Sequence, residues 1–281
     1  MYKRILLCTD GSPNAEVAAD YAIWFAKRLG ARLQILYIID IRLLEGPWMS
    51  DLSGALGAQP YAALAPKLQQ LQNEKAATIL AAAAQRCRDA NVACETAHET
   101  GSLVHVMLTY EKRADLVVLG KRGEHAPWLD DMLGSSVERM VRASIKPCLV
   151  TPEKFEPVKR MLIAYDGSTE SNKALHAGID LAPALGTEVT LITACQGETE
   201  EGASKILNEA VQLAQAHKLK PQAQLVRGNA ETEILAHCEK TAATLIVMGA
   251  YGHTRIRELI LGSTTSHVLR KARVPVLLVR G

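Results

Sequence analysis

The sequence has no CxxC pair, no GxxxxGK[ST] phosphate loop, no GxGxxG after either of its opening apolar runs, no stretch of membrane-spanning length and almost no net charge. Each absence removes a class of protein. The six cysteines, Cys8, Cys87, Cys94, Cys148, Cys195 and Cys238, are scattered without a CxxC pair, which argues against both a redox dithiol and a zinc knuckle and reads most of them as buried thiols. A formal charge of +2 divides into 17 basic against 16 acidic residues through Pro152 and 15 against 14 thereafter, so neither half is a nucleic-acid module by composition. The opening MYKRILLCTDGS lacks a signal-peptide core, and no segment approaches the roughly 20 apolar residues of a bilayer span. A cytoplasmic protein with no membrane partner is the expectation.

What the chain does contain is one unit written twice. KRILLCTDGS at Lys3 to Ser12 returns as KRMLIAYDGS at Lys159 to Ser168. ADLVVLGKRG at Ala114 to Gly123 returns as ATLIVMGAYG at Ala243 to Gly252, and KPCLV before Thr151 matches VPVLLV before Arg280. The offset falls from 156 to about 128, leaving roughly 28 extra residues in the first unit, most of them after ARLQILYIIDI. The prolines of TPEKFEP mark a linker, so the units are drawn at residues 1–152 and 158–281. With 281 residues and 48% apolar composition, each unit has material for its own core.

Each unit alternates short aliphatic runs with alanine-rich helical stretches. Strands are expected at Arg4 to Thr9, Arg32 to Ile39, Ala93 to Glu99, Leu116 to Leu119 and Cys148 to Val150, and again at Arg160 to Tyr165, Glu188 to Thr193, Pro221 to Val226, Thr244 to Met248 and Val276 to Val279. These runs lack polar alternation, as parallel strands covered on both faces do, so the expected fold is α/β with a pair of small sheets. Ser12 is placed to cap a helix whose first turn holds Pro13.

Open parallel sheets bind ligands at the carboxyl ends of their strands. Asp166 falls at such an end, where its carboxylate can accept from ribose hydroxyls or join a magnesium ion bridging phosphates. An aspartate that merely caps the turn is the plainer alternative. After the fourth strand come Gly249, two residues, Gly252, nine residues, then Gly262, Ser263 and Thr264 at the mouth of a helix. Exposed first-turn amides and hydroxyls in that arrangement suit a polyphosphate. His253, Arg255 and Arg257 lie between the glycines, as phosphate counter-charges or as solvated side chains. Gly167 completes the turn after Asp166, and the backbone around Ile192 and Ala194 is positioned to receive adenine.

The repeated DGS and the stretch GAYGHTRIRELILGST resemble the universal stress protein family, and the chain as a whole resembles its tandem, two-domain form. Gly249, Gly252, Gly262 and Ser263 match the family spacing without a gap. The resemblance implies two Rossmann-like domains of the adenine-nucleotide α-hydrolase type, each with a five-stranded parallel sheet and flanking helices, paired through their last strands. It also implies ATP as ligand, with or without Mg2+, in a stress-response regulator whose nucleotide occupancy modulates conformation or protein interactions. A homodimer and an unidentified protein partner are open. Two other classes remain: a nucleotide-free regulatory scaffold, and an ATP-using enzyme with slow hydrolysis, for which no catalytic base emerges.

The first unit departs from the pattern. Asp10, Gly120, Gly123, Gly134, Ser135 and Ser136 keep the plan, but ten residues rather than nine separate Gly123 from Gly134. Asp130 and Asp131 put like charge before the phosphate seat, and Lys121 with Arg122 oppose it. The first site is therefore read as degenerate. Its insertion, with Trp48, Leu52, Leu56 and Tyr61, is read as a flap, an interaction surface or a mobile connection.

Overall fold

The computed structural model describes residues 2–41, 58–123, 133–195, 199–250 and 261–280, with side chains in the helix that begins at Ala58 described from Pro66 onward. The insertion residues Trp48, Leu52 and Leu56 lie outside this set, as does the side chain of Tyr61.

The first unit runs β1 (Arg4–Thr9), α1 (Pro13–Leu29), β2 (Arg32–Asp40), α2 (Ala58–Asp89), β3 (Cys94–Gly101), α3 (Leu103–Glu111), β4 (Leu116–Gly120), α4 (Ser135–Ala143) and β5 (Cys148–Thr151). The second repeats it as β6 (Arg160–Ala164), α5 (Thr169–Leu185), β7 (Glu188–Cys195), α6 (Glu200–Ala216), β8 (Gln222–Arg227), α7 (Ala230–Lys240), β9 (Leu245–Gly249), α8 (Ser263–Lys271) and β10 (Val276–Val279). All ten expected strands form. Part of the first unit's extra length goes into α2, which has 32 residues where α6 has 17.

The last strands of the two units pair, as the resemblance implied, so the expected pair of small sheets is one continuous ten-stranded sheet in the order β3-β2-β1-β4-β5-β10-β9-β6-β7-β8. Pairing is parallel within each half and antiparallel only at the centre, where Val276, Leu277 and Leu278 face Val150, Leu149 and Cys148. The last strand of each unit would otherwise be an open edge of unpaired backbone groups, and each covers the other.

Burial on both faces explains the unbroken apolar strands. Along β1, Ile5 and Leu7 enter the core under α1, α2, α5 and α6, while Leu6 enters the core under α3, α4, α7 and α8. The two helices nearest the seam are amphipathic by the same spacing: α4 buries Val137, Met140 and Val141, and α8 buries Thr265, Val268 and Leu269.

Further contacts cross the seam. The Lys121 ammonium, only 8% exposed, donates to the carbonyl of Arg270 and to that of Ala272 at 3.3 Å, closing the C-terminus of α8. The Arg280 guanidinium crosses the other way, to the carbonyls of Arg142 and Ser144 at the end of α4. The linker lies on α1: Tyr21 Oη donates to the carbonyl of Lys154 and accepts from the amide of Glu156 at 3.1 Å, with its ring edge-on to Phe155.

Candidate functional site at the carboxyl edge

The turn after each first strand is built identically. Asp10 Oδ1 accepts from the Ser12 amide at 3.0 Å, and Asp166 Oδ1 accepts from the Ser168 amide at 3.0 Å. The intervening Gly11 and Gly167 have φ +76 and +78, a left-handed conformation that L side chains resist. Ser12 then caps α1 through the Ala15 amide, and Ser168 caps α5 through the Ser171 amide. One oxygen of each aspartate thus braces its turn, the structural role weighed above, and the same brace holds the carboxylate at the sheet's carboxyl edge. Beside it, Thr193 Oγ1 donates to the carbonyl of Tyr165 at 2.9 Å, tying the end of β6 to β7.

A close approach holds the end of the fourth strand in each unit. A β-carbon on Gly249 would lie 2.9 Å from the Glu170 carbonyl carbon and 3.0 Å from the Ser171 nitrogen, in the first turn of α5. On Gly120 it would lie 2.8 Å from the Asn14 carbonyl oxygen, in the first turn of α1. Both strand ends are therefore seated directly under the helix that follows the aspartate turn. On the other side of β9, buried Thr265 Oγ1 donates toward the carbonyls of Gly249 at 3.3 Å and Ala250 at 3.1 Å. That bond fixes the start of α8 at the same edge.

The helices at the two expected phosphate seats, α4 and α8, begin at Gly134 and Gly262, which have no side chain to accept from their first-turn amides. Ser135, Ser136, Ser263 and Thr264 occupy those first turns. In the first unit the pieces meet: a β-carbon on Gly123 would sit 2.7 Å from Asp10 Oδ2, and the Gly134 amide donates to the carbonyl of Lys121 at 3.1 Å. Asp10, Gly120, Gly123 and Gly134 thus surround one corner. In the second unit Asp166, Gly167, Gly249, Gly262, Ser263 and Thr264 share the carboxyl edge, whereas Gly252, His253, Arg255 and Arg257 lie outside the described residues, as do Asp130 and Asp131 of the first.

Ile192 is 1% exposed, and its carbonyl accepts from the Tyr165 amide at 2.9 Å. Ala194 lies two residues nearer the strand's end, paired with Val226.

Three site features were not foreseen from the residues. Lys121 is turned away from the first seat, into the seam. Thr265 holds α8 against β9. Glu231, in the first turn of α7, accepts from Thr264 Oγ1 at 3.2 Å, which places a carboxylate beside the second seat. Comparison of the repeats would have flagged Glu231, because GSLVHVML in the first unit has valine where GNAETEIL has this glutamate. For a magnesium ion, the described residues hold no group of three His, Cys, Asp or Glu side chains. Asp166 fits as a single protein ligand to an ion that otherwise takes phosphate and water oxygens. Among the described residues no helix is long and apolar enough to cross a membrane.

Known proteins share this arrangement over its full length. The universal stress protein family model matches residues 1–152 and again 157–280. Universal stress protein Slr1230 of Synechocystis sp. is 37% identical over 290 residues, covering 99% of this chain and all of that one. Universal stress protein Mb2019 of Mycobacterium bovis is 23% identical, covering 98% of this chain and 94% of that one. A solved universal stress protein from Archaeoglobus fulgidus superimposes with a TM-score of 0.78 over 99% of this chain and 98% of its own, at 24% identity, a likeness of fold. With two family units in one chain and a full-length relative at that identity, the protein belongs to the universal stress protein family in its tandem form.

Proposed function

We propose that the second unit binds ATP, and that occupancy of this site biases the conformation or the protein contacts of a stress-response regulator. In this reading Asp166 meets the ribose, the backbone near Ile192 and Ala194 receives adenine, and Gly249, Gly252, His253, Gly262, Ser263 and Thr264 surround the phosphates. The observation that carries it is the seating of Gly249. The end of β9 is clamped between the first turn of α5, which follows Asp166, and Thr265 of α8, so the sugar-side carboxylate and the uncapped helix start belong to one corner. First-turn amides at a helix start favour anions through both hydrogen bonding and the helix dipole. Magnesium, where it takes part, would arrive on the triphosphate with Asp166 as its protein ligand, neutralising phosphate charge.

The first unit, with Asp10, Gly120, Gly123, Gly134, Ser135 and Ser136, keeps the same corner but takes ATP more weakly, because of its longer loop and Asp130 and Asp131. The site reads as a sensor rather than a catalyst. Among the described residues no side chain stands out as a base to activate water toward the terminal phosphate, and any hydrolysis is expected to be slow. Ligand acts on such a protein only through different affinities for its conformations.

Two measurements test the reading. Mass spectrometry of ligand released from gently purified protein should identify adenine nucleotide. Calorimetric titration with ATP should show binding in a chain whose first site is disabled, weakened at least tenfold by Gly252→Val; a parent that takes up no heat at millimolar ATP would leave the scaffold reading.

A further inference from the structure

On the flank of the first unit, away from the carboxyl edge, two cysteines flank one tight turn. Cys87, in the last turn of α2, is fully buried, and Cys94, the first residue of β3, is partly exposed; both pack into the core under α1 and α2. The turn between them is pinned by backbone bonds. Asn91 donates to the carbonyl of Arg88 at 3.0 Å and Val92 to that of Cys87 at 2.9 Å, with Asn91 at φ 56, and Leu33 donates to the carbonyl of Ala93 at 2.9 Å. Burial, with the neighbouring Cys94 thiol second, pushes the Cys87 thiol up to about 12.

The second unit makes the same turn without thiols. Leu219 donates to the carbonyl of Ala214 at 3.0 Å and Lys218 has φ 65, so the positions of Cys87 and Cys94 are filled by Ala214 and Pro221. The corner therefore does not require cysteine for packing or for chain reversal, yet the first unit places one at each end of it. The spacing, with six residues between them, is not a CxxC motif; it is the fold that brings them to one corner.

We propose that Cys87 and Cys94 are a redox modification site, joined into a reversible disulfide when the protein meets a hydroperoxide. Cys94, the more accessible sulfur, attacks the peroxide; the O–O bond breaks, and the products are the Cys94 sulfenic acid and water, or an alcohol from an organic peroxide. The Cys87 sulfur then attacks the Cys94 sulfur, forming the S–S bond and breaking the S–O bond. The departing hydroxide leaves as water with the Cys87 proton. Two thiols together lose two electrons and one peroxide gains them. The pinned turn holds both thiols in one corner of one chain, which makes the second step intramolecular and offsets the protonated state of Cys87. A dithiol reductant reverses it by exchange. The bridge fastens α2 to the outermost strand of the sheet.

The test uses the full chain treated with hydrogen peroxide, blocked with iodoacetamide and digested with trypsin without reduction. Cleavage after Arg86, Arg88 and Lys112 should release Cys87–Arg88 linked to Asp89–Lys112, lighter than the two reduced peptides by two hydrogens and separated by dithiothreitol. In Cys87→Ala, which copies Ala214, Cys94 should stay as the sulfenic acid and be trapped by dimedone, with at least tenfold more adduct than in the parent. The proposal is overturned if the parent yields Cys94 sulfinic acid without the linked peptide, a Cys94 bridge between chains, or two alkylated thiols after peroxide treatment. The parent digest decides this even if the variant folds poorly.

Discussion

The carboxylate of Asp10 lies against Gly123, so close that a β-carbon on the glycine would fall 2.7 Å from Asp10 Oδ2. The aspartate after the first strand and the glycine after the fourth, far apart in the chain, thus form one wall of the first unit's corner. Gly123→Ala should displace the carboxylate and weaken its 3.0 Å bond from the Ser12 amide, at a cost of about 0.5–1.5 kcal/mol. Gly120→Ala meets rigid backbone, the Asn14 carbonyl at 2.8 Å, and should cost more, about 1–3 kcal/mol. Urea denaturation checks the order; equal losses would mean that the Gly120 strand end is free to move.

The buried ammonium of Lys121 supports the seam between units rather than a phosphate. Lys121→Met leaves the carbonyls at the end of α8 without their donor and should lower stability by about 1–3 kcal/mol. ATP affinity should be unchanged within twofold. A large loss of affinity with stability intact would return this residue to the ligand.

Glu231 holds negative charge beside Thr264. If the triphosphate sits at the start of α8, Glu231→Gln should tighten ATP binding by about two- to fivefold, with the larger gain when magnesium is withheld. Calorimetry with and without the metal gives the comparison. Weaker binding in the variant would make the carboxylate a ligand rather than a repulsive neighbour.

Alkali should loosen the fold through its buried thiols. Burial raises Cys238 from 9.0 to about 11, and burial is likewise the main cause that lifts Cys148 to about 12. The folded chain then keeps protons that the unfolded chain releases above pH 9.0, so stability holds below that value and declines as pH rises toward about 11 to 12. The urea midpoint measured at pH 7.5, 9 and 10.5 should fall mainly over the last interval, and less steeply in Cys238→Ala. A flat midpoint would mean these thiols ionise without cost.

The strands were legible because parallel strands buried on both faces must be apolar throughout, and the repeat supplied each one twice. The aspartate turns were legible too, since Asp-Gly-Ser at a strand end specifies both a left-handed glycine and a serine cap. Lys121 was misread because nothing in KRG separates a cation facing phosphate from one facing a helix end contributed by a segment some 150 residues later. The approach of Cys87 to Cys94 was hidden for a related reason: a helix end and a strand start converge only once the chain has reversed. The join of the two sheets through their last strands followed from the family resemblance and not from composition, since Cys148–Thr151 and Val276–Val279 are short apolar strands that name no partner by themselves.

The antiparallel join at the centre has one more result. Proteins that meet as separate copies come apart on dilution and must remain self-complementary, because a change on one surface appears on both. Here a single polypeptide supplies both sides, so the local concentration of one for the other is set by the short connection from Thr151 to Arg160 and not by how much protein the cell makes. Freed from mirror-image bookkeeping, one half was able to acquire a long helix and a thiol pair while the other kept an unbroken glycine spacing.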